Sequence, residues 1–141
     1  MITSKSQLRE YIEADKKANH FSNLSRITNT RCKFLRTLRK LEYLINTKAS
    51  RLHILLYRHR LQNLSERLGI SISPNCFGKG LYLPHYGSIV VNGSARFGDW
   101  CIVQNGVNVS ESVVCGGGYL FGCWFKIANW CQSCRQYYCR S

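Results

Sequence analysis

No stretch of the 141-residue sequence approaches the roughly 18 consecutive apolar residues of a membrane-spanning helix. The first 30 residues also lack a charged start followed by an apolar run. Neither a transmembrane helix nor a signal peptide is therefore expected, which predicts a soluble cytoplasmic protein without structural disulfides. Acidic residues are few, seven against twenty Lys and Arg. The basic N-terminal part shows no zinc-finger spacing and no aromatic platform, so a nucleic-acid partner is not expected. Histidine is scarce too, with His85 the only one after His59.

The positive charge that is present is unevenly spread. Residues 1–69 carry fifteen basic and five acidic residues, a net +10, residues 70–117 carry two of each, and residues 118–141 add +3. A basic segment of this kind can meet nucleic acid, anionic lipid or an anionic cofactor. The plainer reading is that the charges form the solvated faces of amphipathic helices. Ser4-Lys5-Ser6-Gln7 reads as a capping box, with Leu8, Tyr11 and Ile12 following on one face. Phe34, Leu38, Leu41 and Ile45 recur at helical steps between Arg31 and Ile45, while Lys33, Arg36, Arg39 and Lys40 fall mostly elsewhere. A further helix from Ser50 to Leu68 carries Leu52, Leu55, Leu56, Leu61, Leu64 and Leu68, and Gly69 stands where a C-terminal cap belongs. Residues 19–30 are polar and read as a connection. His20, His53 and His59 are isolated and read as surface or packing residues.

Helical spacing ends at Gly69. Val91, Phe97, Val103, Val109 and Cys115 step by six, and Ala95, Cys101, Val107 and Val113 follow four residues after the first four. Asn92, Gly98, Gln104 and Ser110 stand at turn-side positions. Upstream, Phe77, Leu83 and Ile89 also step by six, and the phase slips by two between Ile89 and Val91. A strict period of six fits neither a helix nor an antiparallel meander. It predicts a solenoid of short strands whose apolar positions stack from coil to coil. The expected organisation is a basic α-helical region at 1–69, a six-residue-repeat region at 70–117 and an ill-defined tail at 118–141, an α+β protein overall.

The run from Gly80 to Gly93, GLYLPHYGSIVVNG, followed by Ala95-Arg96-Phe97-Gly98-Asp99 and Gln104-Asn105-Gly106-Val107-Asn108-Val109, resembles the histidine-bearing segment of serine acetyltransferases. The resemblance spans roughly residues 1–117 and is strongest at 70–117. It implies a left-handed parallel β-helix with three hexapeptides per coil, behind a helical region and usually assembled as a trimer. It also implies an acetyl-CoA-dependent O-acetyltransferase that uses no metal, with L-serine or a sugar hydroxyl as the small-molecule acceptor. His85 becomes the general base, with Tyr86 and Asn105 as substrate-pocket residues; no cofactor-binding residue is identified. Two departures weaken serine as acceptor. Pro84 stands where the family carries an Asp, and the family's second histidine has no counterpart near Cys115-Gly116-Gly117-Gly118. The competing readings are an inactive remnant that still oligomerises and a basic nucleic-acid-binding protein.

The tail changes character after Gly118, where four of the eight Cys and two of the three Trp fall within 24 residues. Cys123, Cys131, Cys134 and Cys139 contain only one CxxC pair, which argues against a zinc ribbon. Reading the degenerate codons of residues 118–141 one nucleotide later forces Gly at positions 124 and 130. It also gives Val or Ala at 123, 131, 134 and 139, and permits aliphatic residues at 121, 127, 133 and 139. Those four positions continue the six-residue series, so the tail reads as an out-of-frame replacement of further coils. The loss of those coils predicts impaired activity.

Overall fold

The computed structural model describes residues 1–118 together with 120, 121, 126 and 127. Three long helices and one short helix precede a set of short parallel strands. Helix α1 (Lys5–Ala18) is capped by the Ser4 hydroxyl, which accepts from the Gln7 N–H at 3.1 Å. The Gln7 side chain closes back on the Thr3 N–H at 2.8 Å, one residue earlier than a capping box requires. The 19–30 segment is not wholly open: it contains helix α2 (Ser25–Thr28). Asn29 then caps helix α3 (Thr30–Asn46) by accepting from the Cys32 N–H. Helix α4 (Arg51–Leu68) ends on Gly69 at φ 66°, the left-handed cap expected there.

Strand β1 (Ile70–Ile72) follows at once. Then come β2 (Ile89–Val91), β3 (Arg96–Phe97), β4 (Ile102–Val103), β5 (Asn108–Val109), β6 (Val114–Cys115), β7 (Leu120–Phe121) and β8 (Lys126–Ile127). The chain visits three parallel sheets in turn, ordered β1-β2-β5-β8, β3-β6 and β4-β7. Val91 pairs with Val109, Phe97 with Cys115, and Val103 with Phe121, a register of 18 residues in every case. Each circuit therefore closes after three six-residue steps. Left-handed backbone recurs at Trp100, Gly106, Ser112 and Gly118, which marks the corners at the same interval. Val91, Phe97, Val103, Val109 and Cys115 are all buried, as are Ala95, Cys101, Val107 and Val113. Adjacent coils approach so closely at one corner that a Cβ on Gly98 would lie 2.5 Å from the Gly117 nitrogen.

The two-residue slip does not fall between Ile89 and Val91, since both are buried on β2 and pair with Ile70 and Ile72. Tyr82 bridges Ile102, an offset of 20, whereas Val90 pairs with Asn108, an offset of 18. The two extra residues therefore lie between Tyr82 and Val90, in the corner that carries His85.

Two expectations about the helices fail. Arg39 does not lie on a solvated face but is fully buried. Its guanidinium bonds Asp15, Glu42 and the carbonyls of Phe77 and Gly78. The first coil explains why. Its outward backbone groups have no preceding coil to bond, and an unpaired buried peptide group is costly. Side chains from α1 and α3 take the place of that coil. The Asp15 carboxylate accepts from the Leu81 N–H, Asn19 bonds the Leu81 carbonyl and the Leu83 N–H, and Glu42 accepts from the Asn75 N–H. The second failure concerns α4. Leu61, Leu64 and Leu68 enter the core, but Leu52, Leu55 and Leu56 are exposed. Cys123, Cys131, Cys134 and Cys139, whose spacing argues against a zinc ribbon, lie outside the described residues. No group of three or more metal-ligating side chains occurs among the described ones.

Candidate active site

The corner between Leu83 and Ile89 is held on both flanks by the helical region. On the entry side, Arg31 at the start of α3 donates through Nη1 to the Leu83 carbonyl at 2.7 Å and also to the Pro84 carbonyl. Asn19 accepts from the Leu83 N–H at 3.0 Å. On the exit side, the Gly87 N–H donates to the Leu68 carbonyl at 2.8 Å, and the Ile89 N–H to Gly69 at 3.1 Å. Gly87 sits at φ 109°, a conformation that favours glycine and lets the extra residues turn back into β2. Leu83 and Ile89 are both fully buried, so the loop between them starts and ends on fixed points.

Between those anchors His85 and Tyr86 project into solvent, Tyr86 being 69% exposed. The same corner one coil further on is Gln104-Asn105-Gly106, with Asn105 exposed and Gly106 at φ 78°. The register thus places Asn105 on the corner neighbouring that of His85 and Tyr86, bringing the three sequence-predicted residues to one edge. His20 lies edge-on to Tyr82, in the segment leading into the corner, at 6.5 Å, while His53 and His59 are on α4. No carboxylate occurs between Lys79 and Ala95, so the corner itself supplies none to orient the His85 ring.

Beside Tyr86 an open cleft of about 420 Å³ runs between the start of α3 and the end of α4, lined by Thr28, Asn29, Thr30, Arg31, Arg67 and Leu68. Arg31, Arg67 and Asn19 are the residues the sequence did not single out. Arg31 and Arg67 sit in a basic segment among many other arginines, and Asn19 in a polar stretch. No periodicity separates a pinning or lining residue from a solvated one.

Neither a protein-family model nor a curated protein sequence matches the chain. Solved structures do. The native serine acetyltransferase 1 from Entamoeba histolytica superposes with a TM-score of 0.54 at 17% identity, over 86% of this chain and 45% of that one. The complex of the same enzyme with L-cysteine gives 0.53 at 17% identity, over 70% of this chain and 38% of that one. This chain shares the fold of serine acetyltransferases. It spans less than half the length of the solved serine acetyltransferase chains it matches. At this identity the likeness concerns the helical region and parallel strands, not the side chains of the corner. Among the described residues no helix is long and apolar enough to cross a membrane.

Proposed function

We propose that the chain is an O-acetyltransferase of the serine acetyltransferase type, using acetyl-CoA to acetylate the hydroxyl of L-serine or of a sugar. The observation that carries this reading is His85. It stands exposed on a two-residue expansion of the first coil, in a fold shared with serine acetyltransferases. In this reading the strands wind as a left-handed β-helix over 70–117, behind the helical region 1–69, and three cytoplasmic copies assemble.

The chemistry asked of His85 is limited. A hydroxyl attacking a thioester carbonyl must lose its proton as the O–C bond forms, and an imidazole placed on that proton accepts it. The C–S bond then breaks, and the thiolate of CoA takes up the proton. Arg31, Asn19 and the Leu68 carbonyl supply the rigidity, since they fix the backbone on either side of the base. Tyr86 and Asn105 flank the acceptor from two successive corners.

The second reading, an inactive remnant that still oligomerises, draws support from the same corner. Pro84 precedes His85 and no carboxylate lies nearby in sequence to fix the ring. If residues 118–141 replace the coils that would hold CoA, turnover is slow. The deciding experiment measures thiol release from acetyl-CoA with L-serine or sugar acceptors, using wild type and His85→Ala. Release that depends on acceptor and disappears in the variant supports transfer. Release absent from wild type, or equal in both proteins, rejects the role given to His85.

A further inference from the structure

Leu52, Leu55 and Leu56 are 63%, 63% and 57% exposed, the one place where three large aliphatic side chains of a described helix crowd into solvent. At 100° per residue they share a face of α4 roughly opposite to Leu61, Leu64 and Leu68, which enter the core with Ile54 and Tyr57. The first half of α4 is thus apolar on two sides, and the core needs only one. Scattered exposed leucines are ordinary, but a contiguous exposed cluster marks a contact surface.

The charges around the cluster indicate what covers it. Helix α4 carries four arginines, at 51, 58, 60 and 67, against the single Glu66, which is bonded by Gln62. Arg51 and Arg60 lie about a quarter-turn to either side of the leucines; His53 is on Arg60's side about two turns earlier, and His59 continues the leucine face one turn after Leu55. A second copy would bring arginines against arginines. The leucines also stand on a convex ridge of one helix, so a protein partner would need a matching groove. A bilayer surface conforms to a ridge, and cationic side chains at the flanks reach headgroups while the leucines enter the acyl boundary.

We propose that the outer face of α4 docks on an anionic lipid surface through Leu52, Leu55 and Leu56, with Arg51 and Arg60 on lipid phosphates. The contact is peripheral, since the helix lies along the surface and does not span it. It is independent of acetyl transfer, so it stands or falls separately from the role of His85.

The test is co-sedimentation of the full chain with vesicles of phosphatidylcholine alone or mixed with phosphatidylglycerol, at low and high salt. Binding is expected to the anionic vesicles only and to weaken with salt. Leu52→Ser/Leu55→Ser/Leu56→Ser lowers it by about tenfold or more, and Arg51→Gln/Arg60→Gln by about tenfold. The leucines contribute little to the core, so the triple variant retains the wild-type far-ultraviolet circular dichroism. Three results overturn the proposal: no binding, equal binding to neutral vesicles, or binding insensitive to the leucine substitutions. A fourth is a wild-type oligomer that dissociates in the triple variant by light scattering, which assigns the face to a second copy.

Discussion

Arg39 meets Asp15 through two bonds at the junction of helices and coil, Nε to Oδ2 at 2.7 Å and Nη2 to Oδ1 at 3.2 Å. Both side chains are shielded from solvent, and Tyr11 lies over the guanidinium at 5.1 Å. Burial disfavours the charged guanidinium, but Glu42 and Asp15 outweigh it and raise the Arg39 pKa above its ordinary value. The pair therefore remains ionised and serves the first coil by presenting donors and acceptors to its backbone.

Removing the arginine leaves two buried carboxylates without their counter-ion and the carbonyls of Phe77 and Gly78 without its guanidinium donors. Arg39→Ala should destabilise the fold by about 3–5 kcal/mol, read as a lowered urea midpoint. Arg39→Lys should recover little of it, because an ammonium has three donors and no planar fork with which to reach these acceptors. Full recovery by Lys would mean that charge alone, and not the fork, holds the coil to the helices.

Gly98 tests the stacking of coils in a different way. A Cβ there meets the backbone of Gly116 and Gly117, which cannot swing aside as a side chain would. Gly98→Ala should cost about 3 kcal/mol, the upper end of overpacking penalties. At Gly118 nothing lies within 4 Å of an added Cβ, but φ is +78°. Gly118→Ala should therefore cost only the strain of left-handed backbone, about 1–2 kcal/mol. The ratio of the two losses in parallel urea titrations checks the close approach; equal losses would deny it.

Arg31 links the helical region to the chemistry proposed for His85. Its guanidinium holds the two carbonyls immediately before the histidine and rests over Phe21 at 5.9 Å. Arg31→Ala should lower kcat/KM about tenfold or more through loss of positioning, while costing only about 1–2 kcal/mol of stability. A steady-state comparison with His85→Ala separates the roles: the arginine variant keeps residual turnover, and the histidine variant does not.

The inward positions of the coil could be read from sequence because a six-residue period repeats one environment, and every buried position from Val91 to Cys115 was in phase. The helix ends were legible at Ser4 and Gly69 for a local reason, since capping depends on the residues beside it. Arg39 and Asn19 were not legible. Their partners lie 38 and 62 residues away, at Phe77 and Leu81, and nothing in a local pattern separates such a residue from a solvated neighbour. The leucines of α4 misled for a related reason: hydropathy reports that a side chain is apolar, not which of two faces meets the core. His85, Tyr86 and Asn105 came from resemblance. The fold adds that they occupy corresponding corners, one of them lengthened by two residues.

The Cys76 thiol offers a chemical probe of the first coil. Its side chain is 1% exposed, and its Sγ lies 3.5 Å from the Asn92 carbonyl in the next coil. Burial is the largest influence on it and pushes its pKa up to about 11, against the opposing pull of Arg96. A thiol so placed stays neutral when folded but ionises near pH 9 once the chain opens. Its folded pKa is raised, so the stabilising contribution is complete below pH 9 and is lost as pH rises towards 11, at about 1.4 kcal/mol per pH unit. Iodoacetamide at pH 8 should therefore leave Cys76 unmodified in the folded protein and alkylate it in urea, as read by peptide mass spectrometry. Cys76→Ser or Cys76→Ala should flatten the fall in urea midpoint between pH 9 and pH 11. Rapid alkylation under native conditions would show that the first coil opens, and with it the corner that carries His85.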